Sequence, residues 1–95
     1  MSDEIARTVL ITNKRGLHAR ASAKFVTLAS TQPVEVRVSK DDGAVTGTSI
    51  MGLMMLGAGP GSTILVQATG KQAREALEAI VELVNNGFDE DNEGV

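Results

Sequence analysis

The chain has 95 residues, no cysteine, one histidine and a net charge of −3, which points to one domain without disulfides, thiolate chemistry or a multi-imidazole metal site. Two aromatic residues and no basic stripe argue against a nucleic-acid partner, since stacking platforms and a cationic footprint are both missing. Met1-Ser2-Asp3-Glu4-Ile5 lacks the regions of a secretory signal, and the longest apolar run, Ile50 to Ala58, falls well short of the roughly 20 residues that cross a bilayer; a cytoplasmic protein without membrane insertion is expected.

In chain order, the β-branched stretch Arg7 to Ile11 predicts a strand, and Thr12-Asn13-Lys14-Arg15-Gly16 predicts a loop. Ala21, Phe25, Leu28 and Ala29 keep the spacing of one helix face within Ala19 to Ser30. Val34, Val36 and Val38 alternate with charged or polar neighbours as a strand, and Asp41-Asp42-Gly43 predicts a turn that returns Ala44-Val45-Thr46 antiparallel. Ser49 to Leu56 predicts a short helix capped by Ser49 and stopped by Gly57-Ala58-Gly59-Pro60-Gly61. Ile64, Val66 and Ala68 mark a further strand. Thr69 with Gln72 has the form of a capping box before a helix whose apolar face is Ala73, Leu77, Ile80 and Val84. Gly87 and Phe88 are expected to end that helix by a left-handed turn.

The order βαββαβα predicts an α+β fold, with three helices packed on one face of a four-stranded antiparallel sheet. The domain is expected to span residues 1–88. Residues 89–95, with Asp89, Glu90, Asp91 and Glu93 acidic, are expected to form a solvated, disordered tail.

His18 is placed between a glycine turn at Gly16 and the start of the first helix. There the amides of Ala19, Arg20 and Ala21 lack intrahelical partners, and the positive end of the helix dipole favours an anion. Arg20 adds a guanidinium suited to phosphate oxygens. A neutral imidazole offers a lone pair that can form a covalent intermediate, so this position can accept a phosphoryl group; equally, His18 can be a plain polar residue at a helix start. The glycine-rich segment Gly57 to Thr63 fails as a nucleotide loop, because no lysine precedes its Ser-Thr pair.

The segment Gly16-Leu17-His18-Ala19-Arg20-Ala21-Ser22-Ala23-Lys24-Phe25 resembles the active-site segment of the HPr family, the histidine-containing phosphocarriers of the bacterial phosphoenolpyruvate-dependent phosphotransferase system. Ser49-Ile50-Met51-Gly52-Leu53-Met54-Met55-Leu56-Gly57 is similar to that family's second helix. The resemblance spans about residues 5 to 88 and implies an HPr-like open-faced β-sandwich. It further implies that His18 takes a phosphoryl group on Nδ1 from phospho-Enzyme I and passes it to an Enzyme IIA-type protein, in either sugar uptake or a nitrogen-related regulatory branch. Arg20 would neutralise the phosphate. The protein would be a carrier and not a turnover enzyme, and would need neither cofactor nor metal.

Where the family usually carries proline after this arginine, the chain has Ala21, which predicts a less rigid first turn with its geometry retained. The second helix holds more apolar side chains than it can bury. Ile50, Met51 and Met54 are expected to dock partners, for which flexible methionines are suited, and a docking face used in turn by successive partners predicts a monomer. The resemblance also implies regulatory phosphorylation of Ser49 by an HPr kinase/phosphorylase, although the capping role alone accounts for a serine there. The alternative function is a regulatory binding module of the same fold, its partner choice set by phosphorylation.

Overall fold

The computed structural model describes residues 4–41 and 43–90. Four strands, β1 (Glu4–Leu10), β2 (Glu35–Lys40), β3 (Gly43–Thr46) and β4 (Thr63–Thr69), and three helices, α1 (Ala19–Ser30), α2 (Ile50–Met55) and α3 (Ala73–Asn85), follow one another in the order β1-α1-β2-β3-α2-β4-α3. The sheet order is β1-β4-β2-β3 with every neighbouring pair antiparallel. This is the expected α+β architecture.

The period-two pattern decides which face of the sheet carries the helices. Val9 on β1, Val36 and Val38 on β2, and Ile64, Val66 and Ala68 on β4 are all buried, while residues between them are exposed or half-buried. A slip of one residue would turn each of these apolar sets to water, so burial on one side fixes the register. Phe25, Ala21 and Ala29 from α1, Leu53 from α2, and Leu77, Ile80 and Val84 from α3 complete one continuous core.

Three local expectations are corrected. First, β1 begins at Glu4, because pairing of Glu4 with Thr69 extends the ladder past the β-branched stretch, and Ile11 lies just beyond the strand. Second, the β2–β3 hairpin pairs Lys40 with Gly43, so Gly43 opens β3 and does not sit within the turn; Asp41 takes the left-handed conformation at φ 52°, as a tight hairpin requires, and Asp42 lies outside the described residues. Third, Thr69 caps no helix. Its backbone is committed to the sheet between Glu4 and Glu35, and Gln72 occupies the cap position of α3 without a side-chain capping bond.

The other helix ends follow local chemistry. α1 stops at Thr31, whose hydroxyl donates to the Leu28 carbonyl at 2.7 Å, with Pro33 close behind as a barrier to continuation. α2 starts at Ser49, whose Oγ accepts from the Gly52 amide at 2.9 Å. No helix among the described residues is long and apolar enough to cross a membrane.

Candidate functional site

The loop after β1 is built to deliver one side chain. Asn13 to Gly16 is a tight turn closed by the Gly16 amide on the Asn13 carbonyl at 3.2 Å and by Asn13 Nδ2 on the Gly16 carbonyl at 2.8 Å. Gly16 sits at φ +64°, and a Cβ there would stand 2.3 Å from the Ala58 carbonyl oxygen, so both conformation and space demand glycine. The next residue, Leu17, is buried, bonds the Ala58 carbonyl through its amide at 2.9 Å, and accepts at its own carbonyl from the hydroxyl of buried Ser22 at 3.1 Å. Position 18 is thereby held from both sides.

His18 is the N-cap of α1, with extended backbone at φ −77° and ψ −176°, and its carbonyl takes the first helical bond from Ser22. Its Nδ1 accepts from the Arg20 amide at 3.3 Å, a long and weak capping bond. The side chain keeps 24% of its surface exposed. A nitrogen that faces an N–H donor must carry a lone pair, so the partners assign the proton to Nε2.

Nε2 faces a carboxylate. Glu90 Oε2 lies 2.6 Å away, and Glu90 Oε1 accepts from Asn13 Nδ2 at 3.0 Å. Asn13 is fully buried, and since Nδ2 serves two acceptors the amide has one sensible orientation; its Oδ1 is buried with no hydrogen-bond partner among the described residues. Burial pushes the Glu90 carboxyl upward, but hydrogen bonds from Asn13 and His18 and the charge of Lys24 outweigh it and hold the group below its ordinary value.

Glu90 reaches this place through an unusual backbone. Gly87, Phe88 and Asp89 all lie in the left-handed region, at φ 63°, 56° and 62°. Two of them carry side chains, at a cost of about 1 kcal/mol or more each. Phe88 is fully buried in the core and its carbonyl accepts from Lys24 Nζ at 2.7 Å, which anchors the turn against α1. Asp89 and Glu90, grouped with the tail in the sequence, are therefore placed against the site; residues 91–95 of that segment lie outside the described residues.

The other expected site residues fall on two packed helices. Ala19, Arg20 and Ala21 form the first turn of α1, where amides have no intrahelical acceptor, and the Arg20 amide meets His18 Nδ1. Ala21 is buried while Arg20 is exposed. Ser49 caps α2, which packs against α1. Leu53 is the buried residue of α2, and Ile50 (41%), Met51 (72%), Met54 (41%) and Met55 (81%) stand exposed, so the apolar excess of this helix does face solvent.

Sequence reasoning missed Asn13, Ser22 and Glu90. Asn13 read as an ordinary turn residue and Ser22 as a helix interior position. Only the spacing of Asn13 and Gly16, positions i and i+3 of a turn, carried a signal. Glu90 had none, because it sits in an acidic run that composition alone assigns to solvent.

A family model described as "PTS HPr component phosphorylation site" matches residues 5–86. The chain belongs to the HPr family. Among its relatives in that family, the phosphocarrier protein HPr of Pseudomonas aeruginosa is 51% identical over 86 residues, covering 90% of this chain and 96% of that one. Phosphocarrier protein NPr of Escherichia coli K12 is 43% identical over 88 residues, covering 92% and 98%. The crystal structure of an HPr from Thermoanaerobacter tengcongensis superposes with a TM-score of 0.86 at 41% identity, covering 90% and 97%. The HPr relatives are carriers of phosphate and not enzymes with turnover of their own, as the resemblance implies.

Proposed function

We propose that this HPr-family protein is a cytoplasmic, monomeric phosphocarrier of the phosphotransferase system in which His18 Nδ1 accepts a phosphoryl group from phospho-Enzyme I and hands it to an Enzyme IIA-type protein. The observation that carries this reading is the single histidine held as N-cap of α1, part-exposed, with the Nδ1 lone pair directed at the first-turn amide of Arg20. On transfer, phosphate oxygens take over as acceptors for the amides of Ala19, Arg20 and Ala21, and the Arg20 guanidinium neutralises charge in the transition state. No metal or cofactor takes part.

The exposed Ile50, Met51 and Met54 form the docking face for donor and acceptor, and Ser49 at its edge is the regulatory phosphorylation site for an HPr kinase/phosphorylase. A phosphate at Ser49 is tolerated by the helix start but sets a dianion on an apolar docking face, where it repels partners that bury that face.

The test is incubation with phosphoenolpyruvate and Enzyme I. The expected product is an acid-labile, base-stable adduct of one phosphate that is lost in His18→Ala; a wild-type chain that takes up none leaves the binding-module alternative, which the exposed α2 face favours. Transfer from phospho-His18 to a sugar-specific and to a nitrogen-related IIA acceptor, measured side by side, assigns the branch.

A further inference from the structure

We propose that Glu90 is a positioning residue for phosphoryl transfer: its carboxylate, held by Asn13, keeps the proton of His18 on Nε2 and faces the positive charge the ring acquires when Nδ1 bonds phosphorus. The inference rests on the phosphocarrier reading above and concerns a residue beyond the 5–86 segment that the family model matches.

Three observations converge on it. The carboxylate is bidentate in function, Oε1 on Asn13 Nδ2 at 3.0 Å and Oε2 on His18 Nε2 at 2.6 Å, so Asn13 fixes its position independently of the histidine. The side chain is only 13% exposed, which removes much of the water that would otherwise screen it. The backbone adopts three successive left-handed residues to bring it there, and the anchors of that turn, buried Phe88 and Lys24 Nζ on the Phe88 carbonyl, are separate from the site contact.

The chemistry balances without an added proton. In the resting ring, Nε2 holds the hydrogen and Nδ1 the lone pair. That pair forms the Nδ1–P bond as the bond between phosphorus and the donor atom of phospho-Enzyme I breaks, and the donor keeps the electron pair of the broken bond. The Nε2 hydrogen stays in place, so the ring becomes an N-phosphoimidazolium whose charge faces Glu90 Oε2. In the onward step the electrons of the Nδ1–P bond return to Nδ1 as phosphorus bonds the acceptor, and the ring is again neutral. A carboxylate on a histidine nitrogen orients the ring and its tautomer in the same way in triads and metal sites.

The experiment compares wild type with Glu90→Ala, Glu90→Gln and, as a charge control on the exposed face of α3, Glu82→Gln. Long-range proton–nitrogen spectra of the sole histidine report its tautomer in the unphosphorylated protein, and rapid-quench assays with phosphoenolpyruvate and Enzyme I report the phosphorylation rate. Glu90→Ala is expected to give a mixture of tautomers and a rate lowered about tenfold, the loss expected for one hydrogen bond to a charged group. Glu90→Gln, which keeps an acceptor but not the charge, is expected to retain the Nε2–H form and still react several-fold slower. Glu82→Gln matches wild type in both.

A wild-type or faster rate in Glu90→Ala overturns the proposal whatever the tautomer, as does an unchanged tautomer. A wild-type protein that accepts no phosphate defeats the phosphocarrier reading instead, while the spectra still decide whether Glu90 sets the proton on the ring.

Discussion

Glu90 Oε2 and His18 Nε2 lie 2.6 Å apart across 72 positions of sequence, with Glu90 Oε1 tied at the same time to buried Asn13. Burial alone would raise the carboxyl; its bonds to Asn13 and His18, with the charge of Lys24, reverse the sign and lower it. A carboxyl lowered by folding stabilises the native state above its unfolded value, near 4.5, and loses that contribution as the pH falls through the lower folded value. Urea unfolding of wild type and Glu90→Gln across a pH series is expected to show a stability gap that is full above that value and narrows toward zero in more acidic solution. A gap that widens on acidification contradicts the sign.

Gly16 is the tightest backbone position in the site loop. Gly16→Ala sets a Cβ 2.3 Å from the Ala58 carbonyl oxygen at φ +64°, so either the 57–61 loop or the turn must move. A loss of about 2 kcal/mol or more is expected in denaturant unfolding. Gly59→Ala, where a Cβ meets nothing within 4 Å, is expected to stay within about 0.5 kcal/mol of wild type.

The short helix α2 separates packing from docking. Leu53 is fully buried, and Leu53→Ala is expected to cost about 2–4 kcal/mol through lost contacts and a residual cavity. Met51, 72% exposed, should change stability by less than about 0.5 kcal/mol as Met51→Ala. The same variant should weaken binding to Enzyme I in calorimetry, because the side chain belongs to the proposed partner surface.

Ala21 is the third residue of α1 and its amide has no intrahelical acceptor. Ala21→Pro removes that amide and fixes φ near the helical value, so His18 phosphorylation by Enzyme I is expected to remain within about tenfold of wild type. Complete loss of phosphate uptake in a folded Ala21→Pro protein would show that the amide of residue 21 is indispensable to the site.

Local physics made much of this protein readable from its residues. Val36 with Val38, and Ile64 with Val66 and Ala68, announce buried strand faces because side-chain direction alternates with every residue. Ala73, Leu77, Ile80 and Val84 announce a helix face because a spacing of three or four residues returns a side chain to the same side at each turn. His18 and Ser49 were legible as helix starts, since a cap is decided within three residues. Tertiary structure decided what depends on distant chain. Thr69 lost its cap role to partners on two other strands, and β1 took its length from β4. Glu90 belongs to an acidic run in sequence, yet the left-handed turn at 87–89 and the anchors Phe88 and Lys24 carry it to His18. Periodicity reports only which way a side chain points relative to its neighbours; which atom it meets is set by how the elements pack.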